Sequence, residues 1–499
     1  MASGMETLTL GDEPYSIIPA AKRASLKQIQ RGWPRRLEIV AESDAARAAL
    51  RGFEEKWPGR AEGALKLRLV SGKSTAEGYR LLINESQVVC QAAQAEGFRH
   101  ALRTLMQLAA HTEMSVGEIE DAPEIAVRGF HLNFESYRRM DMDAALRLVE
   151  AAARFKLNTL LVEYGPRFPF SDQPQMRDGL TLSLEEIARL TSAAADEGIE
   201  IIPLQQSLAH LEYLLRHDRH AHLRERDGRV NMLCPTHWES LPLVKSLMTE
   251  VMAAHPASRY FHLGGDEARK IGECPRCRPL VKKESVGPVY GRFMGELARW
   301  VLAQGKRPIV WDDTFCAHPD ALDHLPKETI IQYWDYIVVD DPTPVLIPRM
   351  SHAQYGGPRV CHDWSWIVPG RTKKLSDVQR GVMRNYSKAA RLKSALGRAY
   401  MAEFGKNLGD EFPRFIRALP YIEYYQDRGF DVITSPTGMG NGDMKDGTPN
   451  LARFERNIST HGRRAKENGR TLGVITTAWY DMPPEILHQP LVQTAMSTW

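Results

Sequence analysis

The chain has 499 residues, of which 43% are hydrophobic and 25% charged, and its formal net charge is +3. Such a length asks for a barrel-sized domain plus a smaller one, and the composition is that of a soluble globular enzyme. A charge so close to neutral gives no support to a nucleic-acid or membrane-surface reading; short basic pairs such as Arg463-Arg464 and Lys373-Lys374 read as solvated faces.

The opening segment, MASGMETLTLGDEPYSII, lacks a basic start followed by an apolar run, so no secretion signal is predicted. Nowhere do about 18 apolar residues run together, so no membrane-spanning helix is predicted either. The six cysteines (Cys90, Cys234, Cys274, Cys277, Cys316 and Cys361) are sparse. Reduced thiols in the cytoplasm are the expectation.

Residues 1 to about 120 mix strand-like runs, LKLRLV, YRLLIN and VVCQAA, with a helical pattern, FRHALRTLMQLAAH. Leu102, Leu105 and Leu108 fall at helical spacing there, beside Met106. This predicts a small α/β domain over 1–120 with a helix covering its sheet. Asp121-Ala122-Pro123 reads as a linker. From residue 126 on, strand-length apolar runs recur: AVRGFHLNF, NTLLVEY, IEIIPLQ, RYFHLGG, RPIVWDD, TIIQYWD, FDVITSP and LGVITTAWY. Amphipathic patterns such as MDAALRLVEAAARF, LSLEEIARLTSAAADEG and LPLVKSLMTEVMAAH lie between several of them. Strands alternating with helices predict parallel βα units, and eight of them predict a (β/α)₈ TIM barrel over 121–499. Residues 337–430 are too long for one crossover and read as a late insertion, helical around VQRGVMRNYSKAARLKSALGRAYMAEF. Within it VLIPRMS competes as a strand.

Reactive groups of such barrels sit at the C-terminal ends of the strands. Here those ends carry Asn133, Glu163, Asp266-Glu267, Trp311-Asp312-Asp313, Trp334-Asp335 and Trp479-Tyr480-Asp481. Tryptophan walls suit the apolar C–H faces of a sugar, and carboxylates suit its hydroxyls. The stretch YFHLGGDE, residues 260–267, adds detail. Side chains alternate along a strand, so if Phe261 and Leu263 pack on the helices, His262, Gly264 and Asp266 face the barrel axis. Gly264 leaves space beside them. Glu267 then opens the loop and can turn back over the pocket.

HLGGDE at 262–267 resembles the catalytic signature of glycoside hydrolase family 20, the β-N-acetylhexosaminidases. LLVEYGPRFPFSD, IIPLQQSLAHLEYLLRHDRHAHLRE and LCPTHWESL are similar to the hexosaminidase D branch, and AEGFRHALRTLMQLAAH resembles the end of the small domain that precedes the barrel there. ITTAWYD is a weaker match. The resemblance implies an exo-acting, retaining hydrolysis of terminal β-linked N-acetylglucosamine or N-acetylgalactosamine. In it the substrate's own 2-acetamido oxygen is the nucleophile. Glu267 is then the general acid and base, and Asp266 orients the acetamido group.

The resemblance further assigns Arg128 to sugar hydroxyls, Trp311, Trp334 and Trp479 to the aromatic walls, and His210 and His262 to the pocket. Glu163 stands where the family places an aspartate, in a supporting role. It departs at the seventh strand, DVITSPTGMGNGD, which lacks the tyrosine that donates to the acetamido oxygen. Tyr336 or Tyr480 could substitute, or Asn441 and Asp443 could bind the sugar. Trp364 and Trp366, in CHDWSWIV, line an outer subsite or form a local core. Two rivals stand beside this reading: a catalytically silent sugar-binding protein, and a glycosidase with two separated carboxylates drawing on Glu163 or Asp313.

No cofactor is expected, and no metal. Cys274-Pro275-Arg276-Cys277 is a single C-x-x-C, half a zinc site, which Cys234, Cys316 or Cys361 would have to complete. The expected partner is a small glycan or glycoconjugate with a terminal N-acetylhexosamine, with no nucleic acid and no membrane. The insertion adds surface on which a homodimer could form.

Overall fold

The structure, a computed structural model, describes residues 17–135, 139–336, 345–352, 358–367, 395–410, 417–439, 444–445, 448–479, 481 and 483–499. Its first unit is a six-stranded mixed sheet. The strands are β1 (Arg23–Ile29), β2 (Pro34–Ala41), β3 (Ala61–Ser71), β4 (Tyr79–Ile83), β5 (Gln87–Ala92) and β6 (Met114–Asp121), in the order β1-β6-β4-β5-β3-β2. Helix α1 (Ala95–Ala109) buries Leu102, Leu105 and Leu108 in the core of this unit, against Leu67, Leu81 and Cys90. That is the helix the leucine spacing predicts.

The second unit is a closed barrel. Its strands are β7 (Val127–Asn133), β8 (Thr159–Glu163), β9 (Glu200–Leu204), β10 (Tyr260–His262), β11 (Arg307–Trp311), β12 (Ile330–Trp334), β13 (Asp431–Ser435) and β14 (Gly473–Ala478). Each pairs in parallel with the next, and β14 pairs with β7 to close the ring. These are the eight apolar runs read from the sequence. Alternation sorts their side chains. Phe130, Leu132, Leu160, Val162, Phe261, Leu263 and Val310 join the layer shared with the helices, while Leu161, Ile202, Leu204, Ile309, Trp311, Ile433 and Ile475 fill the interior.

Local signals start the surrounding helices. Asp141 accepts the Ala144 N–H at the head of Met142–Arg154, and Ser183 and Glu186 form a reciprocal capping box on Leu184–Asp196. The segment VLIPRMS is a strand, but not a barrel strand. Among the described residues Val345–His352 pairs with Pro358–Ile367 in a separate antiparallel hairpin. Of the predicted helical stretch in the insertion, Ala395–Phe404 is helical, and its earlier part lies outside the described residues. Among the described residues no helix is long and apolar enough to cross a membrane.

The barrel floor rests on the first unit through buried charge. Asp121, read from the sequence as the start of a linker, ends β6 and is buried. Its carboxylate accepts from Lys156 Nζ at 3.2 Å, Tyr79 OH at 2.9 Å and Trp499 Nε1 at 2.8 Å. Trp499 follows the C-terminal helix and packs within the core of the first unit.

Candidate active site

Strand β10 is short because its backbone turns sharply after His262. Gly264 and Gly265 have φ of +63° and +90°, a region that favours glycine. Neither tolerates a side chain. A Cβ on Gly264 would lie 2.0 Å from Gln206 Oε1, and one on Gly265 would lie 2.6 Å from Met294 Cε. The bared backbone lets Gln206 in beside the strand, and Tyr290 clamps it by donating to the Gly265 carbonyl at 2.8 Å. The paired glycines therefore deliver the next two carboxylates to the barrel mouth at different depths.

Asp266 is buried, whereas the Glu267 side chain is 40% exposed. His210 joins them: its Nε2 lies 3.3 Å from Asp266 Oδ2 and 3.6 Å from Glu267 Oε2. Both His210 and Glu267 hold left-handed backbone conformations, φ +55° and +54°, which costs about 1–3 kcal/mol each and persists only where the surroundings impose it. At Glu267 that imposition is visible, since its N–H donates to Asp313 Oδ2 at 2.9 Å. Arg269 reaches Glu267 Oε1 at 2.8 Å. The charge of Asp266 holds the imidazole of His210 protonated, its pKa pushed up to about 10. Burial works against ionisation of Asp266, but the charge and hydrogen bond of His210 outweigh it and hold the carboxyl below its usual range.

Beneath them lies a second acidic pair. Glu163 ends β8 fully buried, accepts from Gln206 Nε2 at 3.1 Å, and lies 3.4 Å from His131 Nε2. Burial, reinforced by the charge of Asp266, lifts its carboxyl to about 7. Glu135, just beyond β7, shares a hydrogen bond with Glu163, and burial pushes it well above the carboxylate range. One of two such neighbours keeps a proton at neutral pH. Burial lowers His131 and His262 to about 3, so both imidazoles are neutral. In each, Nδ1 faces a backbone N–H, of Ala478 and Gly264 respectively, which places the proton on Nε2.

Trp311, Trp334 and Trp479 belong to one cluster in the barrel interior. Trp311 and Trp479 stand 5.9 Å apart, Trp479 lies on His131 at 4.7 Å, and Trp334 lies on Tyr336 at 4.8 Å. Trp311 is nearly sealed, while Trp334 and Trp479 keep partial exposure. Tyr336 accepts from Trp479 Nε1 at 2.7 Å and bonds Thr477 Oγ1 at 3.1 Å. Burial holds its phenol protonated far above the usual range.

Two assigned residues belong elsewhere. Arg128 has the parity of Phe130 and Leu132, so it points out of the barrel, and it stands near the N-terminal end of β7. There it is fully buried, bound to Glu77 and donating to the carbonyls of Ile125 at 2.8 Å and Lys156 at 3.1 Å. It does not reach the mouth. His262 faces the axis as expected but is sealed under Trp311 at 4.5 Å, so it supports the aromatic wall and does not touch a ligand. Tyr480, Asn441 and Asp443, and the side chains of Trp364 and Trp366, lie outside the described residues. Sequence reasoning missed His131, Glu135, Gln206 and Arg269. The parity of HLN marked His131; nothing local marked the others.

An acidic, tryptophan-lined mouth on a closed parallel barrel is the architecture of the barrel glycoside hydrolases. Residues 127–343 match the glycosyl hydrolase family 20 catalytic domain and residues 14–122 match domain 2 of the same family, and the chain belongs to that family. It is 33% identical over 189 residues to hexosaminidase D of Bos taurus, covering 36% of this chain and 54% of that one. Aligned regions span about half the length of the curated relatives the chain matches. The fold resembles a β-N-acetylhexosaminidase from Bacteroides fragilis, with a TM-score of 0.64, 18% identity and coverage of 97% and 90%. It also resembles an exo-β-N-acetylglucosaminidase from Vibrio harveyi solved with N-acetylglucosamine, with a TM-score of 0.65, 17% identity and coverage of 100% and 75%.

Proposed function

We propose that the chain is an exo-acting β-N-acetylhexosaminidase that removes a terminal β-linked N-acetylglucosamine or N-acetylgalactosamine with retention. The observation that carries this is the His210 bridge between a buried, ionised Asp266 and a half-exposed Glu267. One carboxylate is fixed as an anion inside the pocket while its neighbour stays free to meet solvent and a leaving group. Glu267 protonates the glycosidic oxygen and later takes a proton from water. Asp266 orients the acetamido N–H and offsets the positive charge of the oxazolinium formed when the acetamido oxygen attacks the anomeric carbon.

Tyr336 is the acetamido donor in this reading. Its oxygen already accepts from Trp479 Nε1 at 2.7 Å and from the Thr477 hydroxyl at 3.1 Å. The phenolic hydrogen is then available to the acetamido oxygen. Trp334 and Trp479 wall that group. The Glu163–Glu135 pair and Asp313 hold the two reactive residues from below and behind.

The test is release of 4-nitrophenol from β-GlcNAc, β-GalNAc and β-glucoside derivatives by wild type and Glu267→Gln. Turnover of the two acetamido sugars alone, lost in the variant, is expected, and their ratio gives the epimer preference. Equal turnover of the glucoside points to a protein nucleophile such as Glu163 or Asp313. Silence on all three from folded protein points to a sugar-binding protein.

A further inference from the structure

The C-x-x-C beyond the catalytic strand is half a metal site by sequence, and the fold brings the rest to it. Cys234, 40 residues upstream of Cys274, places its Sγ 3.5 Å from Cys274 Sγ and 3.5 Å from Cys277 Sγ. The fourth side chain is Glu225, fully buried, whose carboxylate lies within 4.8 Å of all three sulfurs. No Lys, Arg or His forms an ion pair with Glu225 among the described residues. Its Oε1 accepts the N–H groups of Gly272 at 2.7 Å and Cys274 at 3.2 Å, and its Oε2 is buried with no nitrogen or oxygen donor. Of the other cysteines the sequence offered, Cys316 sits in the main barrel core, and the Cys361 side chain lies outside the described residues.

Three features separate this cluster from a chance meeting of thiols. The backbone N–H of Cys277 donates to Cys274 Sγ at 3.2 Å, and Thr236 Oγ1 lies 3.2 Å from Cys277 Sγ, so the sulfurs already take hydrogen bonds that steady a thiolate. Zinc–sulfur bonds of about 2.3 Å in a tetrahedron put sulfurs about 3.8 Å apart, close to the separations here. Finally, three cysteines cannot all pair as disulfides, and all three are free.

We infer that Glu225, Cys234, Cys274 and Cys277 form a structural site for a thiophilic divalent cation, zinc, where the sequence alone suggested no metal. Binding displaces the thiol protons, and the cation offsets the negative charge that four buried anionic ligands would otherwise concentrate. The site ties two segments together. Cys234 follows Leu233, whose N–H donates to the Leu208 carbonyl at 2.8 Å, two residues before His210. Cys274 lies on the loop that follows Asp266 and Glu267, and Cys277 opens the helix Cys277–Glu284 at its end. The cation would brace the carrier of the histidine against the carrier of the carboxylates.

The experiment reads metal and thiols, not turnover. Full-length protein is purified with zinc and without chelator. Bound metal is measured by mass spectrometry, and cysteine alkylation is mapped before and after chelation. One zinc per chain is expected, with Cys234, Cys274 and Cys277 protected until the chelator is added, and with thiolate-to-metal charge-transfer bands after cobalt substitution. Cys277→Ser should reduce retained zinc at least tenfold, and Glu225→Gln should weaken retention while the chain stays folded by circular dichroism. Folded wild type that retains no zinc, with alkylation unchanged by chelator, overturns the inference. So does a disulfide among the three cysteines in the purified protein, or full zinc retention by Cys277→Ser.

Discussion

At the floor of the barrel Arg128 and Lys156 each lie against a carboxylate, Glu77 and Asp121, and backbone carbonyls and Trp499 complete the shell. At the mouth four carboxylates, Asp266, Glu267, Glu163 and Glu135, gather around His210 and Arg269. Both regions bury charge, but the floor matches cation to anion and the mouth holds an excess of acid. Burial lifts Glu77, yet the hydrogen bond of His100 and the charge of Arg128 outweigh it and bring that carboxyl to about 2. Glu163 at the mouth, with no cation of comparable strength, rises to about 7. Matched buried charge fixes two units together. Unmatched buried charge leaves protons that can move, as acid–base chemistry requires.

The largest expected effect belongs to the mouth. Glu267→Gln should lower kcat/KM for the 4-nitrophenyl acetamido sugars by about 10²–10⁴, the range of a general acid–base group, while the melting temperature holds, because the side chain is partly exposed. Arg128→Met should do the reverse. Removing one partner of a buried pair costs about 3–5 kcal/mol, read by urea unfolding, and the surviving fold should turn over at the wild-type kcat. An Arg128→Met protein of normal stability with raised KM would return Arg128 to the sugar and break the comparison.

Arg128 also shows how far the sequence could be read. The eight apolar runs announce the barrel because a parallel strand is buried on both faces and needs no alternation. Asp266 and Glu267 announce themselves because glycines and acids at a strand end have few structural uses. Arg128 was misplaced by motif likeness although the alternation rule was already available. It shares parity with Phe130 and Leu132, and it opens the strand instead of ending it. Glu135 and Gln206 were illegible for another reason. Their roles depend on contacts across the barrel, and chain order carries no signal for those.

Tyr336→Phe tests the donor in a smaller effect. Loss of one hydrogen bond aimed at developing charge should lower kcat about 10–100-fold, somewhat under the range for an oxyanion donor. The β-GlcNAc and β-GalNAc derivatives should suffer alike, because the acetamido group is common to both. Trp479 Nε1 loses its acceptor with the phenolic oxygen, while Thr477 keeps the Pro436 carbonyl, so stability should fall by about 1–3 kcal/mol. An unchanged kcat would shift the donor role away from Tyr336.

The smallest effect separates the two ends by the sign of their pH dependence. Glu163 rises from 4.5 to about 7 on folding, so between those values the folded chain holds more protons than the unfolded one, and stability falls as pH rises through that window. Glu77 drops from 4.5 to about 2, so its contribution is full above 4.5 and is lost as pH falls toward 2. Melting temperature against pH should therefore decline on both sides, with different residues responsible. Glu163→Gln should flatten the limb between pH 4.5 and 7 and leave the acid limb intact, whereas Glu77→Gln should flatten the acid limb alone. His210, lifted from 6.5 to about 10, extends the mouth's decline to higher pH with the same sign, its stabilisation fading as the imidazole loses its proton. If both glutamine variants flattened the same limb, the two clusters would be one coupled network through the barrel axis, and floor and mouth could no longer be assigned separate tasks.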